Sequence, residues 1–278
     1  HAHSDHARPG CRRYLSTRAG AELLRLRVGR DITLQAPDYG EAVDIKGVRV
    51  SLHPAGHILG SAQVRIEHRG EVVVVGGDYK RAGDPTCQPF EPLQCHVFVT
   101  EATFALPIFR WSATSAVIAD MRAWIAGNRA NGRTSVVLTY ALGKAQRLLV
   151  ELGDDVGPIF AHGAVTRFLD AYTAAGVKLP AVQPCVAAKV KALKGAAVVI
   201  APPSVRGSTW LRRLGDSAVA FASGWMRIRG RRRQHNLDRG FVLSDHADWP
   251  GLLATIEETQ AEQVLITHGR GDALARRL

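Results

Sequence analysis

The first six residues, HAHSDH, carry four side chains able to ligate a metal: His1, His3, Asp5 and His6. Neutral imidazole and carboxylate supply the nitrogen and oxygen donors that zinc or manganese hydrolases use, with coordination positions left open for water. His1 and His3, two apart, could reach one ion, while Asp5 and His6 could turn toward a second. Three later segments offer matching groups. His57 stands in HPAGHILGSAQ on a Gly-flanked loop that allows close approach to a metal. Asp78 stands in GGDYK just past an apolar run, where a carboxylate can bridge two ions, and His268 stands in THG at a predicted strand end. Each alone has an ordinary reading, as a packed loop histidine or a turn aspartate. Their shared position at strand ends and Gly-rich turns points instead to a site on the rim of a sheet.

The elements that must position them fall into two patterns. The first hundred residues are strand-rich: VRVSLH (48–53) alternates, AQVRIEH (62–68) and EVVVVGGD (71–78) form a predicted hairpin around RG, and HVFVTEAT (96–103) adds a strand. Four consecutive valines, Val72–Val75, suit a strand buried on both faces. A helix is predicted over Ser16–Val28, capped by Ser16 or Thr17. From Phe104 strands alternate with helices, as in a parallel sheet with βαβ crossovers. The helices are predicted near Ser115–Asn128, Gly143–Leu152 and Ala164–Ala175, and the strands at 135–139, 158–162, 196–202 and 218–223. The first pattern resumes with a strand at 240–246, a helix Pro250–Gln260 and a strand at 263–268. The expected layout is a β domain (1–103 and 236–278) interrupted by an α/β insertion (104–235).

Composition narrows the class. Of 278 residues, 46% are hydrophobic and 22% charged, a globular profile that argues against long disorder. No apolar run is long enough to span a bilayer and no signal-peptide pattern opens the chain. Cys11, Cys87, Cys95 and Cys185 lack CxxC spacing and read as reduced thiols of a cytosolic protein. The formal charge of +11 favours polyanionic partners. RIRGRRR concentrates Arg227, Arg229, Arg231, Arg232 and Arg233 beside Trp225, which could grip a backbone and stack a base. Gly143 opens a helix with Lys144 next to it, a candidate phosphate seat. His162 in FAHG is a further candidate for lining a strand channel.

HxHxDH, the His of PAGHILGSA and the Asp of GDY together resemble the metallo-β-lactamase superfamily. TEATF with Glu101, LSDHADW with His246 and THG with His268 resemble the acidic motif A and the histidines of motifs B and C in its β-CASP nucleases. TYALGKAQRLL, PIFAHGAV and SGWMRIRG look closest to bacterial ligase-associated DNA exonucleases, and the resemblance covers essentially the whole chain. It implies an αββα sandwich, incomplete before His1, where family members have an earlier strand block and a supporting Asp. It also implies an inserted β-CASP domain. Two divalent ions are implied, Zn2+ first and Mn2+ as the alternative: one held by His1, His3 and His57, the other by Asp5, His6 and His268, with Asp78 bridging. Asp5, Asp78, Glu101 and His246 would be catalytic, with His246 steadying the phosphate or protonating the leaving oxygen and Glu101 fixing its tautomer. DNA is the implied substrate, with an ATP-dependent ligase and a helicase as partners and no membrane. The alternatives are an RNA-processing nuclease of the same fold, a small-molecule hydrolase with little use for so long an insertion, and a non-catalytic nucleic-acid binder.

Overall fold

The computed structural model describes residues 1–228, 230 and 237–278. The chain divides into two compact units, His1–Arg110 with Asp245–Leu278, and Trp111–Ser244. Both are α/β.

The first unit opens with β1 (Tyr14–Leu15), α1 (Ala21–Val28) and β2 (Leu34–Gln35). The helix starts five residues later than expected because Tyr14 and Leu15 pair in parallel with β2. Thr17 then turns the chain, accepting the Gly20 N–H at 3.0 Å. Next come β3 (Ala42–Ile45), β4 (Val48–Pro54), β5 (Ala62–His68), β6 (Glu71–Val75) and β7 (Val97–Ala102). The RG hairpin forms as the two-residue turn requires, with positive φ at Arg69 (51°) and Gly70 (88°). Of the four valines only Val74 is fully buried; Val72, Val73 and Val75 are half-buried, so this strand is not covered on both faces as expected.

The second unit contains α2 (Thr114–Ala130), β8 (Thr134–Leu138), α3 (Lys144–Leu152), β9 (Ile159–Ala161), α4 (Gly163–Thr166), α5 (Leu169–Ala174), β10 (Val182–Pro184), α6 (Ala187–Ala192), β11 (Val198–Ala201), α7 (Thr209–Arg212), β12 (Ser217–Ala222) and β13 (Arg239–Phe241). The single helix expected at 164–175 is two short ones, α4 and α5. All six strands run parallel in the order β10-β9-β11-β8-β12-β13. Their side chains alternate strictly between two cores: Val137, Ile159, Val198 and Ile200 face α2 and α3, while Val136, Leu138, Phe160 and Val199 pack on the other side. The strand expected over 240–246 ends at Phe241 and pairs with β12 here, rather than continuing the first unit's pattern. Arg147, 2% exposed, ties the unit's ends: its guanidinium donates to the Ser244 carbonyl (2.9 Å) and the Thr114 hydroxyl (2.8 Å).

The chain returns to the first unit for α8 (Trp249–Thr259) and β14 (Gln263–Gly269), followed by α9 (Asp272–Ala275). Asp248 caps α8 by accepting from the Gly251 N–H, with Pro250 in the first turn. The six-stranded sheet has the order β14-β7-β6-β5-β4-β3. β14, β7 and β6 are parallel and the others antiparallel, so β4, β6, β7 and β14 all end at one edge. That edge carries the site. No helix among the described residues is long and apolar enough to cross a membrane.

Candidate metal centre

HAHSDH folds into a turn in which the His3 carbonyl accepts from His6 N (3.1 Å) and Ala7 N (2.8 Å). Ala2 and Ala7 are buried and anchor it, and Arg27 of α1 donates to the Ala2 carbonyl at 3.0 Å. This leaves the polar residues between the two alanines facing outward or into the centre.

His57 comes from the loop after β4. The Ser61 hydroxyl accepts from the N–H groups of His57 (3.1 Å) and Ile58 (3.2 Å), closing the loop tightly. Gly56, at φ 70°, brings it so near the segment after β6 that a Cβ there would lie 2.2 Å from the Lys80 carbonyl oxygen. The His57 Nδ1 lies 2.7 Å from the Asp245 carbonyl, which can only accept. Nδ1 therefore carries the proton and Nε2 keeps its lone pair, the arrangement a metal-ligating histidine needs. Burial, reinforced by His246 and His3, holds the His57 pKa well below the usual imidazole value. It is neutral.

His57 Nε2 is 3.1 Å from His3 Nδ1 and 3.7 Å from Asp78 Oδ2, and His1 Nε2 is 3.4 Å from Asp78 Oδ2. Donors spaced around a tetrahedral ion at 2.0–2.1 Å would stand about 3.3–3.4 Å apart. The donor atoms of His1, His3, His57 and Asp78 all lie within 4.8 Å of one another. The His1 Nε2 is buried with no hydrogen-bond partner among the described residues. Buried polar atoms are seldom left so. The donor set therefore fits a divalent ion.

A second group, His1, Asp5 and His6, also lies within 4.8 Å. His6 Nε2 is 3.3 Å from Asp78 Oδ2 and 3.9 Å from Asp5 Oδ2. The His268 ring, at the end of β14, is 6.1 Å from that of His6 and belongs to neither group. Asp78 sits between the two groups. Burial opposes its charge, but the hydrogen bond from His6 and the neighbouring histidines hold its pKa below the ordinary carboxylate value.

Glu101, 2% exposed at the end of β7, accepts from His246 Nδ1 at 2.8 Å and from the Tyr79 N–H at 3.0 Å. The Tyr79 carbonyl in turn accepts from Ala247 N at 2.7 Å. One carboxylate thus joins the Asp78 and His246 loops and orients the imidazole, whose ring lies 4.8 Å from that of His57. The Asp245 carbonyl, Ser61 and Tyr79 were not singled out in the sequence. Their role depends on contacts as far as 188 positions apart, and no local pattern marks them.

The candidate nucleic-acid residues lie in the second unit. The Gly143 N–H donates to the Gln146 side chain at 2.8 Å, and Lys144 is 3% exposed with Nζ 4.7 Å from the Tyr140 ring centroid. This pair is a capped, enclosed helix start rather than an open phosphate seat. His162 caps α4, its Nδ1 accepting from Ala164 N. Trp225 is half-buried and Arg227 exposed. Arg229, Arg231, Arg232 and Arg233 lie outside the described residues.

No family model matches the chain. A protein of Opitutus terrae named a probable DNA ligase is 31% identical over 281 residues, covering 100% of this chain and 27% of its own length. The endoribonuclease YSH1 of Saccharomyces cerevisiae is 37% identical over 73 residues, 26% of this chain and 9% of the relative. The endoribonuclease ysh-1 of Neurospora crassa is 30% identical over 126 residues, 44% of this chain and 14% of the relative. The chain spans well under a third of the length of each.

Proposed function

We propose that this chain, which belongs to the β-CASP nuclease branch of the metallo-β-lactamase superfamily, is a metal-dependent nuclease that hydrolyses DNA phosphodiester bonds as an exonuclease of DNA repair. The carrying observation is the set of imidazole nitrogens gathered around Asp78 at ligand spacing. On this reading the two units are the superfamily's sandwich domain and its β-CASP insertion. His1, His3 and His57 would hold one divalent ion and Asp5 and His6 a second, completed by His268, whose ring lies 6.1 Å from that of His6, with Asp78 available to both. Zn2+ is the first choice and Mn2+ the second. Such ions, when bound, activate water and neutralise phosphate oxygens.

The chain's own residues do the rest. His57 is kept neutral by burial, while its bond to the Asp245 carbonyl places the remaining proton on Nδ1, so it enters the site as a ligand and not as a competing cation. Glu101 holds the Nδ1–H of His246 and favours its imidazolium form, so that the Nε2–H is the proton that passes to the leaving oxygen and solvent water returns it afterwards. Trp225 and the 227–233 arginines hold the strand. An ATP-dependent ligase and a helicase are the proposed partners in the cytoplasm. The match to a much longer protein named a DNA ligase supports the first. RNA is the second reading, favoured by the partial matches to endoribonucleases.

The test is digestion of end-labelled DNA and RNA side by side, with zinc and with manganese. The reading predicts DNA shortened progressively from an end, and no product from Asp78→Asn. RNA cleaved in preference would replace the substrate. No cleavage of either polymer by a metal-loaded chain would overturn the nuclease.

A further inference from the structure

Directly after Asp5 and His6 the chain reads ARPGCRRY, and Arg8, Arg12 and Arg13 are all exposed. Among the described residues, Arg18, Arg30, Arg65 and Arg81 of this unit are matched to carboxylates, as in Arg18–Asp38 at 2.7 Å and Arg65–Glu67 at 2.6 Å. Among the described residues no ion pair involves these three. The segment is nevertheless a built loop. The Tyr14 hydroxyl donates to the Arg8 carbonyl (2.9 Å) and accepts the Cys11 N–H (3.1 Å), and β1 follows at once.

The loop borders a cavity of about 360 Å3, within the size range of small-ligand sites, about 300–1,000 Å3. Its walls differ in chemistry. His1, Asp5 and His6 of the candidate metal centre form one part of the lining; Tyr14, Leu15, Leu52 and Val64 belong to an apolar part; Arg8 and Cys11 also line it. A free inorganic anion has no use for the apolar wall, and a lipid tail has none for the histidines and aspartate. A nucleotide uses all of it: flat apolar faces for the base, and anionic phosphate for the arginines and the metal side.

We propose that this cavity holds one nucleotide of the bound strand, with its base against Tyr14, Leu15 and Val64, and that the adjoining phosphates run along Arg8, Arg12 and Arg13. The inference rests on the nuclease reading and adds to it a strand-binding surface on the first unit, separate from the 227–233 arginines.

Cys11 provides a footprint in the unmodified chain, because it is exposed and lines the cavity. The chain is alkylated with iodoacetamide in a chelator, so that no strand is cut, and modification is read site by site by mass spectrometry. A short single-stranded oligodeoxynucleotide at about ten times its Kd should slow Cys11 alkylation about tenfold, as mass action requires. Cys185, in the other unit, is the internal reference. Inorganic phosphate should not protect. Replacing Arg8, Arg12 and Arg13 by Gln should abolish protection and lower the salt slope of binding by about 2, at about 0.7 per phosphate contact on single strands. Arg65→Gln should change neither. Unprotected Cys11 at saturating oligonucleotide, or protection that survives the triple replacement, would overturn the proposal. Cleavage with metal restored is scored separately. Cleavage without protection sinks only the cavity assignment, and protection without cleavage sinks only the nuclease.

Discussion

Gly56→Ala is expected to damage the metal centre without touching a ligand. At φ 70° an alanine meets the left-handed backbone penalty, about 1–2 kcal/mol. The new Cβ would also stand 2.2 Å from the Lys80 carbonyl oxygen and 3.0 Å from Phe90 N, where ordinary contact begins at 3.4 Å. Either the His57 loop or the segment holding Asp78 must therefore retreat by roughly 1 Å. That movement breaks the Lys80 N–H bond to the Ala55 carbonyl, now 3.0 Å, for a further loss of about 0.5–1.5 kcal/mol. The total, about 1.5–3.5 kcal/mol, corresponds to a fall in Tm of roughly 3–14 °C for a protein of this size. The functional effect should be larger in proportion, because the shift separates His57 from Asp78: zinc affinity should fall about 10–100-fold, as when a ligand's supporting contacts are lost. Gly70→Ala is the comparison. Its φ is 88° but nothing lies within 4 Å of the added Cβ, so it should lose only the backbone contribution and bind zinc normally. Calorimetry and chelator competition measure both. If the two variants melt alike and bind zinc alike, the close approach at Gly56 does not hold the site together.

Other substitutions separate the proposed roles. Asp78→Ala should lose both metal binding and turnover, checked by metal analysis after gel filtration; two ions retained at near-normal rate would remove Asp78 from between them. His246→Ala should keep its metal and lose rate by about 10²–10⁴, the range for a general acid; loss of metal would make it a ligand. The metal-free chain should lose stability as pH falls below about 6.5, because the unfolded His57 takes up a proton there that the folded one, with its lowered pKa, refuses. The contribution is fully present above that pH, and its slope is at most about 1.4 kcal/mol per pH unit. Urea titrations between roughly pH 7 and 5 test it, and His57→Asn should flatten the dependence.

What could be read beforehand followed from local signals. The valine run, the RG turn and the alternation around it define β5 and β6, since turn geometry and side-chain period are both short-range properties. The same turn signal stands between β3 and β4, where AVDI and VRV flank Lys46–Gly47, both at positive φ. The short helix α6 and strand β10 carry too few residues for a period to appear. For the centre, each donor was visible as a residue and its neighbours were not. His57 depends on the Asp245 carbonyl, a backbone atom that any side chain could have supplied. Lys144 shows the opposite failure: a lysine after a helix-opening glycine looks exposed, but stacking over Tyr140 and enclosure are tertiary facts. Arg8, Arg12 and Arg13 form no periodic pattern in the sequence, and the cavity beside their loop is a tertiary feature.

The bonds that Arg147 makes to Thr114 and Ser244 have a consequence for how the chain folds. The two ends of a 134-residue unit, Trp111 to Ser244, are held one guanidinium apart. To the first unit, a folded insertion is then equivalent to a loop of about four residues, whereas an unfolded one is a loop of the full length. Closing the shorter loop costs about 3 kcal/mol less, since the entropy grows as (3/2)RT ln n. The insertion should therefore fold first, and the split halves of the first unit should join across a gap it has already closed.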